Sequence, residues 1–176
     1  MDINELFNQF TLFDPAKGQR ADLPAVEGNY IVMLKTGCNI PDVLGNFKYT
    51  EVSLHGVDYR VLYTGVASNL KSRIWTNHLH GNGGNSTLRK TLGSLFGYQK
   101  IARDKNYQIN KKTKFGAEDE NSLTAWMEHN LLFAYLANDK RNELESFLID
   151  SLLPPLNVEG SKAATLKRVH ELRCDK

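Results

Sequence analysis

Two short tyrosine-glycine signatures constrain this chain more than anything else in it. Gly28-Asn29-Tyr30 opens the run NYIVMLK at 29–35, and Tyr63-Thr64-Gly65 closes a second run at 58–64. Residues 29–35 are apolar and β-branched enough for a buried strand. Residues 47–54 and 58–64 flank His55-Gly56-Val57, a hairpin-like connection between two strands. Residues 131–135, LLFAY, read as a further strand or as an extension of the helix before them, the strand being preferred. The expected class is α/β: a small three-stranded central sheet, mixed or antiparallel, flanked by helices.

Periodicity predicts the helices around that sheet. Ile3, Leu6, Phe7 and Phe10 fall at helical spacing, so a short N-terminal helix opens an extension over 1–27. Ser68 caps a helix over 69–80 that turns Leu70, Ile74 and Trp75 inward, and Gly81-Asn82-Gly83-Gly84-Asn85 ends it. Ser86 starts a second helix with Leu88, Leu92 and Leu95 inward and Arg89 and Lys90 outward. Residues 99–120 are polar and read as a long loop or ragged hairpin. Ser122 begins a helix to about 130, and 142–153 form another, stopped by Pro154-Pro155. Residues 162–173 predict a basic helix inside a C-terminal extension over 158–176.

Composition narrows the class of protein. The chain has 176 residues, 41% of them hydrophobic, enough for one domain with a core. No run approaches the ~20 apolar residues of a membrane span, and MDINELFNQF lacks the pattern of a signal peptide. A cytoplasmic protein without membrane contact is expected. Cys38 and Cys174 lack zinc-ligand spacing and read as ordinary thiols. Net charge is only +2, but its distribution is uneven. Residues 60–114 hold eleven Lys and Arg against the single acid Asp104, whereas 115–159 hold nine acids against Lys140 and Arg141. A basic block of that kind is the footprint of a polyanion-binding face, or else a solvated lysine-rich loop near 99–114.

The chemistry-bearing residues follow in a particular order. Arg73 lies eight residues past Gly65, and Glu145 precedes Leu148-Ile149 and then Pro155-Leu156-Asn157. Over residues 28–157 this order and spacing resembles the GIY-YIG nuclease family, with longer segments near 36–58 and 81–121. The resemblance implies an endonuclease that hydrolyses DNA phosphodiesters with Mg²⁺ or Mn²⁺. RNA is compatible as a substrate, and a dimer is compatible with double-strand cutting. By that resemblance Tyr63 orients or activates water, Tyr30 supports it, Arg73 contacts the scissile phosphate, Glu145 binds the metal and Asn157 braces the site. A guanidinium suits a phosphate because its planar fork stays charged and meets two oxygens. A single carboxylate suffices for a hard cation that keeps its waters.

Each of these residues also has a plainer reading. Tyr30 and Tyr63 read alone are half-buried strand tyrosines, Arg73 a solvated helical arginine and Asn157 a turn residue. Asn142 and Glu145 are spaced like a capping box. The family often has a His or Tyr four residues past the arginine, where this chain has Asn77 and then His78. At about 100° per residue, Asn77 falls about 40° and His78 about 140° around an ideal helix from Arg73. Asn77, His78 and His80 therefore all stay open for that position. Asn77 also supports a rival function, a non-catalytic nucleic-acid-binding module on the same fold. Lys71 and the segment with Ser86, Arg89 and Lys90 are candidates for phosphate contact, since a helix N-terminus presents free N–H groups. The glycines before Ser86 are not a nucleotide-binding P-loop, because no Gly-Lys-Ser/Thr follows.

Overall fold

A computed structural model describes residues 3–43, 45 and 48–174. In chain order the elements are α1 (Ile3–Phe7), β1 (Thr11–Phe13), β2 (Gly28–Leu34), β3 (Glu51–Leu54) and β4 (Val57–Ala67). A π-helix (Ser72–Leu79), α2 (Thr87–Leu95), β5 (Lys100–Ala102), α3 (Tyr107–Asn110) and β6 (Thr113–Phe115) follow. The chain continues through α4 (Ala117–Asn130), β7 (Leu131–Ala137), α5 (Arg141–Leu152) and α6 (Leu166–Cys174).

The main sheet has five strands in the order β1-β7-β2-β4-β3. Every pairing in it is antiparallel. The expected sheet of three strands is thus too small. Of the five, β1 matches no run read as a strand: it is only three residues long and carries no readable period, and it is held by pairing Phe13 opposite Phe133 on β7. At the other edge, β3 joins β4 through His55 and Gly56, both at positive φ, as a two-residue hairpin turn of the primed type requires. Phe47, in the expected strand 47–54, lies outside the described residues.

Strand β2 is buried along its whole length because both of its faces are covered. Tyr30, Val32 and Leu34 pack in a cluster with Ile74, Leu88, Leu92, Leu123 and Met127 from the π-helix, α2 and α4. Ile31 and Met33 pack with Leu6, Phe7, Leu148 and Leu152 from α1 and α5. The period of two along β2 therefore divides one strand between two cores. Full burial of each such side chain contributes roughly 1.5–3 kcal/mol.

Two close approaches explain the motif glycines. A Cβ at Gly65 would overlap the Tyr30 hydroxyl, its cross-strand neighbour, and a Cβ at Gly28 would overlap the carbonyl of Leu136 on β7. The outer edge of β4 beyond β3 is covered by the segment after α5. Leu156 N donates to Leu62 O at 3.0 Å. Asn157 Nδ2 donates to Thr64 O at 3.0 Å, and its Oδ1 accepts from Thr64 N at 2.9 Å. Pro-Pro-Leu-Asn thus acts as a substitute edge strand that satisfies backbone groups of β4.

The polar stretch 99–120 forms the β5–β6 hairpin, with α3 between its strands, and runs into α4. The C-terminal helix is not an outlying extension: α6 packs on α2, its Val169 is fully buried, and Thr165 Oγ1 donates to Pro155 O at 2.8 Å. No described helix is long and apolar enough to cross a membrane.

Candidate active site

The helix after β4 decides which histidine meets the motif tyrosine. It is wound as a π-helix, and His80 N bonds Trp75 O, five residues back, at 2.9 Å. A π-helix is underwound relative to an α-helix, which swings His78, the fifth residue past Arg73, back toward the face that carries Arg73. The separation of about 140° between Arg73 and His78 on an ideal helix is reduced by this winding. Arg73 Nε donates to the Tyr30 hydroxyl at 3.2 Å, and His78 Nε2 lies 2.7 Å from the same oxygen. Asn77 lines a shallow groove with residues 66–69, Ser72 and Arg73, and not the main cavity. His80 is exposed, stacks on Trp75 and pairs with Glu128 at 3.8 Å.

Proton bookkeeping orders the buried chain behind Tyr30. Ser86 Oγ accepts from Arg89 N at 3.1 Å and lies 2.7 Å from His78 Nδ1. Ser86 is buried, and among the described residues its hydroxyl proton has no other acceptor, so it is assigned to Nδ1. His78 then donates from Nε2 to Tyr30, and the Tyr30 proton is free to turn toward Tyr63. Burial, then the charges of Arg73 and Arg89, hold the His78 pKa well below its usual value, so the ring is neutral. His78 thus sits behind Tyr30, not in the cavity.

On the open side, Tyr30, Tyr63 and Arg73 line a cavity of about 510 Å³ that Glu145, Lys90 and Arg173 also enter. The rings of Tyr30 and Tyr63 stack with centroids 6.2 Å apart. Burial pushes the Tyr63 phenol up, Arg73 pulls it down, and Glu145 pushes it up again. For Arg73, burial works against the charge, but the phenolic oxygens of Tyr30 and Tyr63 outweigh it and hold the guanidinium protonated.

Glu145 reaches this cavity because the start of α5 is tied to the first motif. Asn29 is fully buried, and its Nδ2 donates to Arg141 O at 2.7 Å, while Arg141 pairs with Glu27. Glu145 lies one turn further along the helix. The capping-box reading of Glu145 does not hold. The helix begins at Arg141 with Lys140 as its cap, and no side-chain cap bond is made. Burial raises the Glu145 carboxyl pKa, Glu159 raises it further, and Arg73 opposes both.

Other sequence-predicted residues belong elsewhere. Arg89, expected outward, has no exposed surface and pairs with Glu120 at 2.8 Å, because its position on α2 faces α4. Ser86 is consumed as the cap of α2 and as the partner of His78. Both side chains are thereby withdrawn from a ligand. Lys71 is half-buried at the start of the helix, its N–H bonded to Pro24 O, and it does not line the cavity. Lys90 does line it, as does Asn157. The sequence reading missed Asn29, Glu159, His170 and Arg173. His170 and Arg173 share a helix face at a spacing of three, but nothing local announces where that helix docks.

Among the described residues no three His, Cys, Asp or Glu side chains form a metal-binding cluster. The cavity offers the carboxylates of Glu145 and Glu159, and His170 and Cys174 of α6 also line it. One or two carboxylates beside open space fit a hard divalent cation that retains waters.

Among known families, the one described as GIY-YIG catalytic domain matches residues 28–175, which include every residue lining the cavity. No curated protein and no solved structure matches the chain. The two tyrosine-bearing strands, the arginine helix that follows them and the match over 28–175 make this chain a member of the GIY-YIG family of nucleases, which generally depend on a divalent metal.

Proposed function

We propose that this protein is a Mg²⁺- or Mn²⁺-dependent endonuclease that hydrolyses DNA phosphodiester bonds. The observation that carries this reading is that Tyr63, Arg73 and Glu145, from three separate elements, line one cavity. Glu145 holds the cation, which when bound supplies positive charge to the phosphate oxygens. Arg73, anchored through Nε by Tyr30, offers its terminal nitrogens to two oxygens of the scissile phosphate and stabilises the charge that builds there. Tyr63 enters as a neutral phenol, because burial raises its pKa, and it orients the attacking water. Tyr30 and His78 are positioning residues: the imidazole fixes the Tyr30 hydroxyl, which in turn fixes Arg73 and faces Tyr63. Asn157 holds the strand that carries Tyr63 by bonding both backbone groups of Thr64.

The rival reading, a non-catalytic nucleic-acid-binding module, drew on Asn77 as the residue one turn past Arg73. The bond between His78 and the Tyr30 hydroxyl supports the nuclease reading over that rival, and the plasmid experiment below decides between them.

The test is purified protein with supercoiled plasmid in Mg²⁺, Mn²⁺ and EDTA, beside Glu145→Gln and Arg73→Ala. Metal-dependent nicking or linearisation, abolished by EDTA and lost in both variants, is expected. Folded wild type that retards plasmid in a salt-sensitive manner yet cuts nothing in either metal would overturn the nuclease reading in favour of the binding module.

A further inference from the structure

The C-terminal helix brings a further arginine, Arg173, to the cavity that Arg73 lines. Arg173 on α6 and Lys90 on α2 both line the main cavity, and both also line an adjoining cleft of about 200 Å³. That cleft continues along residues 83–87 to Lys112 and Thr113 at the β5–β6 hairpin. The two spaces thus form one path from Arg73 and Glu145, between Lys90 and Arg173, to Lys112.

Among the described residues these two cations are without the carboxylate partners that Lys162 and Arg168 have. Lys162 pairs with Asp150 at 2.8 Å, and Arg168 pairs with Glu171 at 3.4 Å. Among the described residues, neither Lys90 nor Arg173 enters an ion pair or a side-chain hydrogen bond, and Arg173 Nε is buried without a partner. Burial lowers the pKa of both, and for Lys90 the charges of Arg173 and Lys100 lower it further. Glu159, Tyr63 and Cys174 act the other way on Arg173. Two half-buried like charges side by side destabilise a fold that gains nothing from them, and a bound anion removes that cost. The packing of α6 on α2 holds them there, with Lys100 Nζ donating to Leu172 O beside Arg173.

We propose that Lys90 and Arg173 together bind the backbone phosphate adjacent to the scissile one, and that the nucleic-acid strand continues over residues 83–87 toward Lys112. This rests on the nuclease reading for the word scissile, but the binding itself does not require cleavage. It makes α6 part of the substrate-binding surface.

The test measures binding of a fluorescein-labelled DNA duplex in EDTA over a series of KCl concentrations. Wild type is compared with Lys90→Gln, Arg173→Gln, the double variant, Arg173→Lys and, as a control, Arg168→Gln. Loss of one phosphate contact lowers the slope of log affinity against log salt by about 0.9. The double variant is expected to show that drop and a several-fold weaker affinity at low salt, while Arg173→Lys and Arg168→Gln keep the wild-type slope. If Arg173→Gln fails to fold, Lys90→Gln is read by itself against the same expectation. An unchanged slope in the folded double variant, or in Lys90→Gln if only that folds, overturns the proposal, and so does a wild type with no salt-dependent binding. Wild type that binds with the expected slopes but does not cut plasmid keeps this phosphate site and removes only the nuclease reading.

Discussion

The molecule contains two arginine–glutamate sets in opposite states, Arg89 with Glu120 and Arg73 with Glu145. Arg89 has no exposed surface and spends its donors fully. Nε and Nη2 go to Glu120 Oε2 at 3.0 and 2.8 Å, and Nη1 reaches His78 O, Leu79 O and Thr124 Oγ1. Glu120 Oε1 accepts from Gly83 N at 2.7 Å and Phe115 N at 3.1 Å. That set ties the end of the π-helix, the glycine run and the hairpin to α4. Arg73 and Glu145 are half-buried, face one cavity and form no ion pair among the described residues. The same two side-chain types are structural where every donor and acceptor is met inside the protein. They are available for a ligand where the cavity leaves them unmet.

The contrast is broken most directly by removing each arginine. Arg89→Ala leaves Glu120 charged and buried without its partner and is expected to destabilise the fold by about 3–5 kcal/mol in urea denaturation. Arg73→Ala is expected to keep stability to within about 1 kcal/mol while plasmid cleavage falls by about 10²–10³-fold. Equal stability losses in the two variants would show that the sets do not differ as described.

A smaller effect sharpens the structural side of the comparison. Asn157→Ala strips Thr64 of partners for both its N–H and its C=O. A loss of about 1–3 kcal/mol is expected. Amide exchange at Thr64 should accelerate selectively, because Asn157 no longer bonds β4 while Leu156 N still donates to Leu62 O.

The smallest effect concerns Glu145 and depends on pH. Its carboxyl pKa is raised in the folded protein, first by burial and then by Glu159. Ionisation is therefore harder in the folded than in the unfolded chain. The resulting cost is absent below the unfolded value of about 4.3, appears as pH rises through the folded pKa, and is complete above it. Glu145→Gln removes the cost, so without metal its Tm is expected to exceed wild type slightly at pH 7 and to match it at pH 4. Added Mg²⁺ should raise the wild-type Tm and leave that of Glu145→Gln unchanged. A Tm gain in the variant that persists at pH 4 would assign the effect to packing rather than charge.

Much of the frame was legible before any coordinates. The β-branched runs marked β2 and β4, the apolar run 131–135 marked β7, and Pro154-Pro155 marked the end of α5. Glycine in the second motif is needed because Tyr30 occupies the space its side chain would take. Strand β1 was not legible, since three residues carry no period. Nor was the burial of Arg89: its sequence neighbourhood resembles that of a solvated arginine, and only the approach of α4 supplies Glu120.

By itself, then, the sequence determined the central strands β2, β4 and β7 and the end of α5, where glycine and proline must stand, and which residue types could meet a phosphate and a metal. These are local matters, governed by side-chain shape, period and backbone freedom within a few residues. The tertiary structure alone decided that a π-turn brings His78 rather than Asn77 to Tyr30, that Arg89 is consumed internally, and that Arg173 joins the cavity from the far end of the chain. Each of those outcomes depends on what packs against a residue from more than one turn away, and no local pattern encodes such a neighbour.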